Sequence, residues 1–242
     1  YLMVLIKKRH FFKFDLNGLL HINTDLLVNI VHKAIPLTLN EILFSVGQAM
    51  VFKSYIRCDE YLVASISVVD TVSNIMFIAF GGLSSAVSIM IGNKLGADQL
   101  DEAKDNARKL LCFSLMVSLV VGTCCFLAAP FVPNLYNVDV SIKETIVALL
   151  RIKSIIINVY AFNVCIFFIL RAGGDALSTM IMDSGFLWLV NVLVSTLLSM
   201  FTELPLVTLY MIVESLDFIK LIIAIYFLKK ERWVKNIVVV GE

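Results

Sequence analysis

Charge is what this sequence has least of. Only 16% of its 242 residues are Asp, Glu, Lys or Arg, and the two signs nearly cancel at 19 acids and 20 bases. Soluble domains carry charge at roughly a quarter of their positions, so a water-facing surface is excluded over most of the chain. The balance of signs removes any electrostatic reason to bind nucleic acid. Histidine is scarce as well: there are three, at positions 10, 21 and 32, all before the first long apolar run. The five cysteines, Cys58, Cys112, Cys124, Cys125 and Cys165, show no metal-ligand spacing. Together these gaps exclude a His/Cys/carboxylate catalytic constellation, so no enzyme activity, resident metal or cofactor is expected. The cysteines read as small core residues, with adjacent Cys124 and Cys125 pointing about 100° apart on a helix. Only four prolines interrupt the chain, which leaves long stretches free to be helical.

What fills the sequence instead is apolar. Hydrophobic residues make up 60% of it, and the mean hydropathy is +0.91. A spanning helix needs about 20 mainly apolar residues, and six segments qualify, at 34–56, 61–93, 108–129, 144–170, 178–201 and 206–228. The chain therefore reads as an all-α, polytopic membrane protein. Polar connections separate the spans: "RCDE" at 57–60, "NKLGADQLDEAKDNARK" at 93–109, "PFVPNLYNVDVS" at 130–141, "RAGGD" at 171–175 and "TELP" at 202–205. The third of these spans is expected to be preceded by a short amphipathic helix around 99–109. Residues 1–33 read as the end of an earlier helix followed by a polar linker, residues 34–230 as the membrane lobe, and 231–242 as a tail. A start at Tyr1 after so short an apolar run suggests a fragment or split gene.

Lys and Arg concentrate on alternate loops. The linker, the 93–109 and 171–175 connections and the tail hold nearly all of them, while the other loops hold little beyond Arg57 and Lys143. Positive loops stay cytoplasmic, which predicts cytoplasmic termini and an inner turn at "RAGGD".

Nine ionisable residues fall within or near the edges of the spans: Glu41, Lys53, Asp70, Arg151, Lys153, Asp183, Glu214, Asp217 and Lys220. Facing lipid at mid-depth, at roughly 2.5–3.5 kcal/mol each, they would together cost upwards of 20 kcal/mol. Most must therefore face a protein interior, a wet cavity or the headgroups. Polar residues also recur at helical spacing: Thr38, Glu41, Ser45 and Gln48; Ser67, Asp70, Thr71 and Asn74; Ser184, Trp188, Asn191, Ser195 and Ser199. These stripes fit either hydrogen bonding between helices or a shared polar interior. Glu41 and Asp70, without a local cation, favour function. Glu214, Asp217 and Lys220 are spaced to neutralise one another. Arg151 and Lys153 either snorkel to the interface or form a basic lining for anionic cargo, and Asp183 can join Thr179 at i, i+4. Pro36 weakens the first span's backbone ladder or is merely an early-turn proline, and Gly81-Gly82 permits close packing or bending.

The ordered set "PLTLNE" (36–41), "GNKLGADQLDEAK" (92–104), "LRAGGD" (170–175), Trp188 and "ERWVKN" (231–236) resembles the second half of multidrug and toxic compound extrusion (MATE) transporters. The resemblance covers about residues 33–236. It implies one six-transmembrane-helix lobe, the C-terminal one, of a twelve-helix transporter, with residues 7–33 as the interlobe linker and an N-terminal six-helix lobe as partner. It implies export of small amphipathic or cationic compounds through a cleft that alternates between faces, coupled to Na+ or H+, in the plasma (inner) membrane. The family's seventh-helix carboxylate is best matched by Glu41, although in sodium-coupled bacterial members that acid lies about one turn further from the proline. The tenth-helix acid of those members is here Tyr160, with Asn158 and Asn163 nearby, so Asp70 is the candidate second acid. The expected coupling set is Glu41, Asp70, Asn74 and Asn40, and the expected cleft set is Gln48, Tyr160, Asn158, Asn163 and Asp183. A lipid-linked saccharide flippase of the wider superfamily and a non-transporting half-length scaffold are the rival expectations.

Overall fold

The computed structural model describes residues 24–236, except the side chains at 24–27, 29–30, 32–34 and 36–37. The expectations for residues 1–23 and 237–242 lie outside the described residues. By compactness the chain divides within its first helix into one unit up to Ile42 and a second from Leu43 onward.

The described residues are helical throughout, connected by short turns. Helix α1 spans Thr24–Cys58 and continues through Pro36, α2 spans Ala64–Gly96, α3 spans Leu100–Ala128, and α4 spans Val140–Ala172. Helix α5 covers Ala176–Phe201, while α6 (Leu206–Ser215) and α7 (Asp217–Lys229) are separated by Leu216 alone and together make the sixth span. By length and composition, α2, α3, α4 and α5 are each able to cross a membrane. No separate amphipathic helix precedes α3: the polar turn at 101–109 runs directly into the apolar run as one helix, because no glycine or proline intervenes to break it.

In the second unit α4 is the hub, packing against α2, α3, α6 and α7. Against α3 it packs on the buried small residues Ser114, Ser118, Gly122 and Cys125. A Cβ on Gly122 would stand 2.7 Å from the Ser154 carbonyl oxygen, so only glycine lets the two backbones approach this closely. Large apolar side chains such as Ile78, Met116, Val120, Leu189 and Ile222 point outward, as a lipid-bathed surface requires. Gly81 and Gly82 do not mediate packing, since a Cβ at either would meet nothing within 4 Å.

Three connections distant in sequence meet at one end of this bundle. Asp175 caps α5, accepting from the Ser178 amide at 3.2 Å and the Ser178 hydroxyl at 2.7 Å. Gly174 adopts a left-handed φ of 70°, and a Cβ on Gly173 would lie 2.2 Å from the Trp233 carbonyl oxygen. Trp233 is thereby buried against the turn. Lys104 reaches Glu231 at 2.6 Å, and Lys94 reaches Glu102 at 2.6 Å. The motifs 92–104, 170–175 and 231–236 thus form one clasp. The opposite end gathers the other three connections: the Tyr61 hydroxyl donates to Asp139, and the Cys58 thiol donates to the Leu204 carbonyl at 2.8 Å.

Candidate functional site

Between the α1 segment of the second unit and helices α2, α4, α5, α6 and α7 lies a cavity of about 660 Å³. Gln48 and Ala49 of α1 and Asp70 and Asn74 of α2 are exposed at its mouth. Tyr55, Ser73 and Tyr210 are buried along its wall. Four carboxylates (Asp70, Asp183, Glu214, Asp217) and two ammonium groups (Lys153, Lys220) line it, so its formal balance is negative. Aromatic rings fill the space between the charges: Tyr160 stacks on Phe77 with centroids 4.7 Å apart, and Tyr55 lies 5.8 Å from Tyr210.

The strongest polar contact in the cavity joins α4 to α6. The Lys153 ammonium donates to both oxygens of Glu214, at 2.9 and 2.8 Å, with side chains 13% and 16% exposed. It also stands 5.8 Å from the Phe77 ring centroid, within cation–π range. Glu214 therefore pairs with Lys153 and not with Lys220 as its spacing suggested. The side chain of Arg151 turns the other way and lies 5.6 Å over the Phe126 ring of α3, so the expected basic lining reduces to Lys153, already paired, and Lys220. The carboxylates Glu214 and Asp217 flank the one-residue break at Leu216, where the Leu216 amide bonds back to Val213 at 3.2 Å instead of one residue further. Interrupted spans recur where membrane proteins bind polar ligands. Helix α5 is irregular on the same cavity: Ile181–Gly185 and Leu187–Val192 are wound as π-helix, a winding often found at functional positions.

Of the expected residues, Gln48, Asp70, Asn74, Tyr160 and Asp183 share this cavity. Asn158 does not: two residues before Tyr160 places it about 200° around α4, where its amide donates to the Ile155 carbonyl at 3.1 Å. Asn163 also lies outside the lining, buried and donating at 3.1 Å to the Asp217 carbonyl. It braces the start of α7 from behind. Glu41, exposed, and Asn40, half-buried, belong to the first unit. Trp188 donates at 2.9 Å to the Leu43 carbonyl, tying α5 to α1, and Gly47 allows the approach, since a Cβ there would stand 2.6 Å from Leu187. Ser195 and Ser199 bond within their own helix, to Val192 and Thr196, so the α5 stripe is only partly a bridge between helices. Thr179 likewise donates to Ala176.

A face of serine, carboxylate and phenylalanine on α2, Tyr160 on α4 and a broken final span stand together around one cavity. The sequence model of the MatE family matches residues 36–197, well over half of the chain. The chain belongs to the MatE family. Solved structures agree in fold. One is described as the inward-facing conformation of a multidrug resistance MATE family transporter of the MOP superfamily, with TM-score 0.77, 15% identity, and coverage of 87% of this chain and 49% of that one. Another is a MOP superfamily transporter from Pyrococcus furiosus whose description speaks of a binding pocket of reverse polarity, with TM-score 0.80, 15% identity, and coverage of 95% and 51%. A third is a MATE protein in complex with MaL6, with TM-score 0.76, 15% identity, and coverage of 87% and 48%. The chain spans about half the length of these structures. Among the curated proteins no significant match is found. This MatE chain is a multi-pass membrane chain with the fold of one six-helix lobe of those structures.

Proposed function

We propose that the chain is the C-terminal lobe of a secondary active exporter of amphipathic or cationic compounds, working by antiport with sodium or protons beside an N-terminal six-helix lobe. The observation that carries this reading is the lining of the cavity, where four carboxylates outnumber two ammonium groups among aromatic rings. Such a lining attracts organic cations through charge and ring faces together. Asp70, with Asn74 one turn away on the same face, is the coupling acid within the second unit, and Glu41 is the coupling acid of α1. Binding of the coupling ion drives export only by favouring one orientation of the lobes over the other. The clasped end, rich in Lys and Arg, is cytoplasmic in this reading, and residues 7–33 link the lobes. The negative lining disfavours the flippase alternative, because anionic lipid-linked cargo would meet like charge.

The test is ethidium efflux from energised cells carrying this lobe joined to its N-terminal partner lobe. Asp70→Asn and Glu41→Gln should each abolish coupled efflux at unchanged membrane expression. Undiminished efflux in either variant rejects that residue's role, and undiminished efflux in the double variant rejects the coupling scheme.

A further inference from the structure

Resting on that reading of the cavity, we propose that Lys153 is a tethered internal cation, and that cationic cargo binds Glu214 by displacing it. The geometry around Nζ is what a free ammonium compound would require. Both oxygens of Glu214 accept from it, at 2.9 and 2.8 Å, and a ring face lies 5.8 Å away at Phe77. The ring is held in place by its stack on Tyr160, one heptad along α4 from Lys153. The pair is largely shielded, with only 13% and 16% of the side chains exposed, and both residues line the cavity through which a cation would approach them.

Two further observations separate this from a simple brace between helices. Ser73, 3% exposed and lining the same cavity from α2, has a hydroxyl oxygen with no hydrogen-bond partner. It lies on the face that also presents Asp70 and Phe77, so one wall holds a carboxylate, an uncommitted hydroxyl and a ring. Asp217 lines the cavity one helical turn beyond Glu214, and offers the displaced ammonium a second carboxylate. A lysine is suited to this exchange, since it is a point charge on a flexible stem, whereas an arginine fork would hold both oxygens rigidly. Lys153 thereby sets the threshold a cation must exceed to enter, and uncharged compounds gain nothing from competing with it.

This lobe joined to its N-terminal partner lobe, purified in detergent, is titrated with ethidium and read by fluorescence anisotropy. Lys153→Met removes the competitor and should tighten ethidium binding by about tenfold or more. Lys153→Arg, which keeps the pair and should fold like the parent, should weaken it about threefold. Glu214→Gln should weaken binding in either background. A purely structural pair lowers the unfolding midpoint in Lys153→Met without tightening ethidium. Equal or weaker binding in Lys153→Met, or equal or tighter binding in Lys153→Arg, overturns the displacement while leaving the export reading in place. Absence of ethidium binding in the parent and every variant overturns both.

Discussion

The clasped end and the charged cavity are built from opposite materials. The clasp uses short polar motifs that each fix their own local backbone, with an aspartate capping its own helix and a glycine at positive φ, and that then meet through exposed lysine–carboxylate contacts and the seat of Trp233 on Gly173. The cavity uses single charged residues scattered over five helices, each costly alone at membrane depth and acceptable only in company. The contrast teaches that the end of the lobe is held by geometry, and its middle by charge compensation. Damage to the middle should therefore cost more, and should be repairable by a second substitution.

The largest effect is expected at Glu214. Glu214→Gln leaves the Lys153 ammonium without its partner, a loss of about 3 kcal/mol that should appear as a lowered unfolding midpoint in detergent. Adding Lys153→Met should recover most of it, and failure to recover would place the cost in shape instead of charge. Next is Gly173→Ala, whose Cβ would enter the Trp233 backbone; overpacking of about 2 kcal/mol is expected, and no second-site charge change should rescue it. Asp175→Ala removes the α5 cap and should cost about 1 kcal/mol, read by the same unfolding assay. Lys104→Ala opens the exposed contact to Glu231 and should cost less than about 1 kcal/mol, the difference vanishing in high salt. A Lys104 effect larger than the Glu214 effect would reverse the comparison.

The clasp was legible in the sequence because its parts are motifs. "LRAGGD" announces a turn by glycine and aspartate chemistry, and "ERWVKN" ends the last span, although nothing in either string says that Gly173 exists to admit Trp233. The cavity was half legible. Gln48, Asp70, Asn74 and Asp183 stand out as polar residues at helical spacing in apolar runs, and all four line it. The Lys153–Glu214 pair is not legible, because its members lie 61 positions apart and each has a plausible local account: snorkelling for the lysine, and Lys220 within two turns for the glutamate. The available signal was one acid and one base buried in different spans, each lacking a better partner on its own helix face. Asn158 stands about 200° around α4 from Tyr160 and so faces elsewhere, whereas Asn163, one turn beyond Tyr160, is buried with its amide committed to the Asp217 carbonyl. The break at Leu216 has no proline or glycine beside it, so no local rule marks it.

Hydration of the cavity at membrane depth is the claim on which the account depends, and thiol accessibility tests it most directly. In a background with the five native cysteines replaced, cysteine is placed at Asp70 or Asn74 on the cavity face of α2, and at Ile75 of α2 or Ile222 of α7, exposed and outside the lining. A charged, membrane-impermeant methanethiosulfonate reagent is then applied to the chain in lipid vesicles. Rapid labelling at 70 and 74 with none at 75 and 222 is the expected result. Protection of 70 and 74, or equal labelling at all four positions, would contradict a water-filled site for cations within this lobe.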